Sequence, residues 1–282
     1  MTFRFENEYG IFLKFFNKNI KLKSFKNYLA ICAIIKNEAP YLKEWIEYHK
    51  LIGVEKFYLY DNESTDNTKQ LLQPYIQSGL VEYNFIKGTQ KQIPVYKKSV
   101  KKHKYDSFWI AYIDADEFIV PLNPKNLKNF LQNYEQYGGV GINWCIYGSS
   151  NHDKKPDGLV IKNFKYRANN DFHDNKHIKT IANPRKIKKF RNPHQIICIP
   201  PHKIVSPDFK VLTGFYNEDI NYEKIRINHY YTKSREEFLI KISKGKADSK
   251  GEKNINLFYA NDKNDIYDNI MDEYIDLMER KQ

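Results

Sequence analysis

Three apolar runs, each ending in a polar cluster, constrain this chain more than any other feature. Residues 28–35 are continuously apolar, as in a strand buried on both faces, and Lys36-Asn37-Glu38 follow. Residues 57–60 run into Asp61-Asn62-Glu63-Ser64-Thr65-Asp66, and residues 108–113 run into Asp114-Ala115-Asp116-Glu117. A helical pattern through Trp45 and His49, opened at Pro40 and stopped at Gly53, separates the first two runs. A second helix carries Leu71, Leu72 and Ile76 to Gly79, a third strand covers 80–86, and 94–103 reads as helix. Strand–helix–strand alternation of this kind predicts a mostly parallel sheet with helices on both faces. Ligands of such sheets bind beyond the carboxyl ends of the strands. All three polar clusters fall on that edge.

The second half is less regular. Residues 140–146 and 225–231 read as strands, the latter containing Asn228 and His229. Residues 163–183 are polar and rich in His, Asn and Lys, as a substrate loop would be. From Ser234 onward the pattern is helical, and 259–282 reads as one or two surface helices. No internal repeat or linker interrupts the chain. The expected organisation is one α/β domain over 28–245, with a basic, aromatic extension at 1–27 and a helical extension at 246–282. In the first extension Ile11, Phe12, Phe15 and Phe16 recur at helical spacing between lysines. That pattern suits an amphipathic helix on an anionic membrane surface, or equally a helix packed on its own domain.

Asp114, Asp116 and Glu117 crowd three carboxylates beside an apolar strand. Such charges repel, desolvation aggravates the repulsion, and a divalent cation relieves it. Mg²⁺ and Mn²⁺ prefer hard oxygen ligands and keep positions open for substrate phosphates. Asp61 is placed to accept hydrogen bonds from a nucleobase or ribose, while Ser64, Thr65 or Asp66 caps the next helix. His229 is either a hydrogen-bonded core residue or an imidazole completing the metal shell. Lys179 can neutralise a phosphate, as can Arg185 or Lys203. Trp144 and Tyr147 offer flat faces to a sugar ring, although core packing is the commoner role for such residues. His49 reads as structural.

Several classes fall away. No run reaches the ~18 apolar residues of a membrane span, and Glu6 and Glu8 stand where a signal peptide would be apolar. Three cysteines in 282 residues, Cys32, Cys145 and Cys198, exclude a disulfide scaffold and read as reduced core thiols. Neither a Gly-rich dinucleotide loop nor a P-loop occurs, no nucleophile elbow is present, and the cysteine spacing offers no zinc site. The net charge of +12 fits nucleic acid, an anionic membrane or a phosphate-bearing substrate. Three acidic strand ends would repel a nucleic-acid backbone, so nucleic acid is not the expected partner. A sugar-phosphate nucleotidyltransferase would share the sheet and the cation. It usually carries a Gly-rich basic loop after the first strand, where this chain has Ile35-Lys36-Asn37-Glu38-Ala39-Pro40.

Ordered blocks of the sequence resemble the family 2-like and family 92 glycosyltransferases. They are Ala33-Ile34-Ile35-Lys36-Asn37-Glu38, Glu44-Trp45-Ile46-Glu47-Tyr48-His49, Tyr60-Asp61-Asn62-Glu63-Ser64-Thr65-Asp66 and Trp109-Ile110-Ala111-Tyr112-Ile113-Asp114-Ala115-Asp116-Glu117-Phe118. Tyr147-Gly148-Ser149-Ser150-Asn151-His152, Lys179-Thr180-Ile181, Asn192-Pro193-His194 and the stretch from Ile225 through His229 to Ser234 continue the order. The resemblance covers about 28–245 and implies a GT-A fold, a Rossmann-like nucleotide-binding sheet. It also implies a nucleotide-diphosphate sugar donor and a divalent cation, usually Mn²⁺. By it, Ile35, Lys36, Asn37 and Glu38 hold the nucleoside, Asp61 contacts the base, and Asp114 approaches the ribose and metal. Asp116 and His229 bind the metal, and Lys179 assists the leaving diphosphate. Relatives of this kind usually invert the anomeric centre, which requires a general base: Glu117, His152 or Asp174. Asn151 stands where Gly often precedes the histidine, and Thr180 where Ser is common. The expected setting is cytoplasmic, peripheral to the membrane, acting on a glycan or lipid-linked acceptor in surface-polysaccharide or lipopolysaccharide-type biosynthesis.

Overall fold

The computed structural model of the protein describes residues 25–243 and 254–280. The amphipathic pattern within 1–20 lies outside them.

Fourteen strands are named here in chain order: β1 (Asn27–Ile35), β2 (Lys56–Asn62), β3 (Val81–Ile86), β4 (Ser107–Tyr112), β5 (Glu117–Pro121), β6 (Gly139–Ile146), β7 (Tyr166–Arg167), β8 (Ile178–Ala182), β9 (Ile187–Asn192), β10 (Gln195–Cys198), β11 (Ile204–Val205), β12 (Val211–Leu212), β13 (Ile225–His229) and β14 (Ile266–Tyr267). Four helices matter to the site: α1 (Ala39–Leu51), α2 (Gln92–His103), α3 (Arg235–Ser243) and α4 (Asp272–Glu279). The main sheet runs β12-β11-β6-β8-β4-β1-β2-β3, with β13 paired to β6 and β5. β4, β1, β2 and β3 are mutually parallel. The mixed, mostly parallel sheet with flanking helices is the α/β architecture expected from the alternation.

β1 is apolar because it is the centre of this sheet: Leu29 through Ala33 have no exposed surface. α1 starts with Pro40 in its first turn, where a missing N–H costs nothing. It ends before Gly53, whose φ of 110° needs the freedom of glycine. Its inner face buries Leu42, Trp45, Ile46 and His49, each large apolar side chain contributing about 2–3 kcal/mol. That face also pins β5. Trp45 Nε1 donates to the Glu117 carbonyl at 2.8 Å, and Tyr48 Oη donates to the Ile119 carbonyl at 2.8 Å. His49 Nδ1 sits 2.8 Å from the Trp45 carbonyl, and His49 Nε2 accepts from Ile119 N at 3.3 Å. The imidazole is therefore neutral with its proton on Nδ1, a structural role as expected. The strand carrying Glu117 is thus locked onto the first helix.

Three expectations need correction. The helix expected to end at Gly79 is two short pieces, Thr68–Leu71 and Gln73–Gln77, because Pro74 cannot continue the hydrogen-bond ladder of the first. The polar stretch 163–183 is not one substrate loop: it contains β8, inserted antiparallel between β4 and β6. Nor does the C-terminal segment lie on the surface. Met271, Tyr274, Ile275 and Met278 are buried in the main core, and Tyr274 Oη donates to the Pro121 carbonyl at 2.7 Å. Asp268 accepts from Arg167 and from the buried Arg226, both at 2.7 Å. The three cysteines are free and buried. Among the described residues no helix is long and apolar enough to cross a membrane.

Candidate functional site

At the β1 and β2 ends, polar groups satisfy one another. Asn37, in the left-handed region at φ 54°, donates its N–H to Ser64 Oγ at 2.8 Å. Its side-chain oxygen accepts from Thr65 N at 2.7 Å. Asp61 is 2% exposed, and its oxygens accept from Ser64 N at 2.9 Å and Tyr83 Oη at 2.7 Å. Asp66 accepts from Ala39 N at 3.2 Å and Thr68 N at 3.0 Å. Of the three capping candidates, Asp66 bonds the first helical N–H, and Ser64 ties the two strand ends together instead. The register Ile35↔Asp61 brings Ile35, Lys36, Asn37 and Glu38 beside Asp61.

The β4–β5 corner is built from charge. Asp114 Oδ1 accepts from Gln92 Nε2 on α2, and Oδ2 from Lys179 Nζ on β8, both at 2.7 Å. Glu117 has no exposed surface. Its Oε2 accepts from Asp114 N at 2.9 Å, and its Oε1 has no hydrogen-bond partner, with Lys179 Nζ 3.7 Å away. Burial, reinforced by Asp114 and Asp116 and opposed by Lys179, pushes its carboxyl well above the usual range. Lys179, 1% exposed, is lowered by burial but raised further by Asp114 and Glu117, so its ammonium is held firmly charged.

Asp116 has different partners. Its Oδ2 accepts from Lys241 Nζ on α3 at 2.7 Å, and His229 Nε2 lies 3.5 Å from Oδ1. Burial pushes this carboxyl up, but Lys241 and His229 outweigh it and hold it well below the usual range. His229 is placed by its pairing with Glu117 across β13 and β5. Burial lowers its pKa against the pull of Asp116, and its buried Nδ1 has no partner. Trp144 packs its ring 4.3 Å from that of His229 and 4.9 Å from those of His177 and His194. His194 Nδ1 lies 3.0 Å from the Ile178 carbonyl, and burial with Lys179 pushes its pKa down to about 2, so the ring is neutral.

The structure brings Asp114, Asp116, Glu117, Lys179 and His229 into one cluster, with Asp61 and 35–38 at the neighbouring strand ends. Other expected residues sit elsewhere. His152 is half-buried on a loop whose Ser149 and Ser150 amides are held by Asp262 at 2.6 Å and Asn264 at 2.7 Å. Asp174 lies in a 3₁₀ turn beside His173. Among the described residues neither shares a hydrogen bond or ion pair with the three carboxylates. Tyr147 is 1% exposed, its hydroxyl accepting from Arg226 and Asn228, so it offers no face to a sugar. Trp144 is occupied by three imidazoles. Arg185 stacks on Phe108 near the start of β4, at the wrong edge of the sheet for phosphate, and the Lys203 carbonyl binds Gly138 at the start of β6. Residues that motif reading missed are Gln92 and Lys241. Neither belongs to a motif, and only the fold brings them to the aspartates.

Among the described residues no group of three or more His, Cys, Asp or Glu is arranged to hold a metal. Asp116 and His229 form a two-ligand set: one hard carboxylate oxygen and, 3.5 Å from it, the Nε2 of an imidazole. That chemistry fits Mn²⁺ or Mg²⁺ in an open shell completed by substrate oxygens.

The sequence profile of glycosyltransferase family 92 matches residues 28–258. The chain belongs to this family. A family 92 protein of Oryza sativa subsp. japonica is 25% identical over 236 residues, covering 81% of this chain and 37% of the relative. One from Arabidopsis thaliana is 29% identical over 165 residues, covering 54% of this chain and 29% of the relative. The chain therefore spans roughly a third of the length of these family 92 relatives. Among solved structures, S. aureus TarS 1–349 in complex with UDP has a TM-score of 0.37 at 11% identity, covering 56% of this chain and 47% of that one.

Proposed function

We propose that this family 92 chain transfers a sugar from a nucleotide-diphosphate sugar to a glycan or lipid-linked acceptor, with inversion, in surface-polysaccharide or lipopolysaccharide-type biosynthesis. One observation carries the reading: a locally hydrogen-bonded strand-end clamp suited to a nucleoside adjoins an ion-paired corner suited to a diphosphate, on one edge of one sheet. Asp61, with Ile35, Lys36, Asn37 and Glu38, receives the base and ribose, and its lone pairs not used by Ser64 and Tyr83 are available to them. Asp114, fixed by Gln92 and Lys179, faces the ribose side. Asp116 and His229 hold Mn²⁺ or Mg²⁺, which when bound supplies Lewis-acid stabilisation of the diphosphate. Lys179 holds Asp114 and Glu117 in place and adds positive potential where that charge gathers.

Glu117 keeps the Asp114 turn in shape from beneath, so His152 and Asp174 are the stronger candidates to take the acceptor proton. The basic, aromatic N-terminal extension suits peripheral contact with an anionic membrane from the cytoplasmic side. The test is hydrolysis and binding of a nucleotide-sugar panel with Mn²⁺ or EDTA, for the wild type and Asp116→Ala. Metal-dependent release of one nucleoside diphosphate, lost in the variant, supports the reading. Absence of binding to every donor in Mn²⁺ overturns it.

A further inference from the structure

Lys241 occupies the position at Asp116 that a divalent cation needs. Its ammonium donates to Asp116 Oδ2 at 2.7 Å and to the Tyr231 carbonyl at 2.7 Å, and lies 4.1 Å from the centre of the Tyr231 ring. The Lys241 and Asp116 side chains are only 18% and 14% exposed, so water screens the pair poorly. The remaining carboxylate oxygen faces His229. The carboxylate has lone pairs beyond the one Lys241 uses, but an ammonium and a divalent ion on the same oxygen repel strongly in a partly desolvated site. That repulsion favours displacement of the lysine when a metal binds. The Tyr231 carbonyl and ring keep the freed ammonium beside the site. A diphosphate arriving with the metal is the partner of matching charge.

We propose that Lys241 is a resident counter-ion that exchanges with the divalent cation at Asp116 and passes onto the donor's diphosphate. The proposal rests on the metal reading above and adds a residue to it. In the empty site the lysine neutralises Asp116 and keeps the two aspartates from repelling. In the loaded site the same lysine holds the leaving group.

Mn²⁺ binding, followed by loss of the free-ion electron paramagnetic resonance signal, compares the wild-type chain with Lys241→Met. Removal of the competing ammonium should tighten Mn²⁺ binding about ten-fold, the scale of a lost charged hydrogen bond. Acylation of wild-type Lys241 by acetic anhydride, read by mass spectrometry, needs no variant. Reactivity should rise several-fold on adding Mn²⁺ alone and fall again when inorganic pyrophosphate joins it. Equal or weaker Mn²⁺ binding by a folded Lys241→Met protein overturns the exchange, as does Lys241 reactivity indifferent to Mn²⁺. Failure of pyrophosphate to restore protection overturns the transfer to diphosphate. A wild type that binds no Mn²⁺, with or without pyrophosphate, removes the metal reading itself, which the other outcomes leave standing.

Discussion

The β1–β2 edge and the β4–β5 corner lie side by side and are held together in opposite ways. At the first, hydroxyls, amides and two carboxylates satisfy one another locally: Asn37, Asp61, Ser64 and Asp66 come from two adjacent strand ends. At the second, three carboxylates within four residues are balanced by Lys179 and Lys241, 65 and 125 residues distant from their partners. Such local hydrogen bonds contribute about 1 kcal/mol each, and about 1.5–3 kcal/mol where a carboxylate accepts. Buried charge pairs are nearly balanced sums of large opposing terms, so removing one partner is costly. The first edge is suited to fix a ligand's position. The second is suited to trade ionic partners during a reaction.

The largest expected effect tests the charged corner directly. Asp116→Ala should lower kcat/KM for the donor by on the order of 10³-fold, the scale of losing metal stabilisation of a leaving group. Thermal unfolding should barely move, because Lys241 can turn toward solvent. Retained turnover would show that the corner is structural. Next comes Lys179→Met, which strands the buried Glu117 and leaves Asp114 with Gln92 but no cation. Its expected cost is about 3–5 kcal/mol in urea unfolding, and Asp114→Asn in the same background should recover part of it. A loss below about 1 kcal/mol would falsify the claim that this lysine holds the corner together.

The same contrast explains what was legible in the sequence. β1, β2 and β4 announce themselves because strands buried on both faces are continuously apolar, and their polar ends stand out. Asp114, Asp116 and His229 could be singled out because they follow or sit within such strands. β8 was hidden because Lys179 and Thr180 break the apolar pattern at its centre, and Lys179 is there to face Asp114. Lys241 was hidden for a different reason. Nothing local marks a helical lysine as the partner of an aspartate 125 residues earlier. The C-terminal helix looked superficial because its buried residues, Tyr274, Ile275 and Met278, form a narrow stripe among acids.

A smaller effect comes from behind the corner. Burial lowers the His49 pKa to about 3 from its ordinary 6.5, and that of His194 to about 2. The unfolded chain therefore binds protons at these sites before the folded one does. Their contribution is complete above pH 6.5 and is lost as pH falls, by up to ~1.4 kcal/mol per pH unit for each imidazole. Urea midpoints at pH 7, 6 and 5 should fall more steeply in the wild type than in His49→Gln, by about one proton. Parallel slopes would mean that His49 is protonated in the fold, contrary to its acceptance of the Ile119 N–H.

The smallest effect belongs to the β1–β2 edge. Ser64→Ala removes the acceptor of the Asn37 N–H but leaves Asp61 bonded to Tyr83 and to the residue-64 amide. The Asn37 amide is only half-buried, so water can replace the hydroxyl. The expected loss is about 1 kcal/mol of stability, equal at 50 mM and 500 mM salt, with a few-fold rise in donor KM and unchanged kcat. That kinetic split marks a residue that shapes ground-state and transition-state binding alike. A fall in kcat comparable to that of Asp116→Ala would erase the division between a positioning edge and a reacting corner. So would a salt-dependent stability loss at Ser64, because it would show that charge reaches across both.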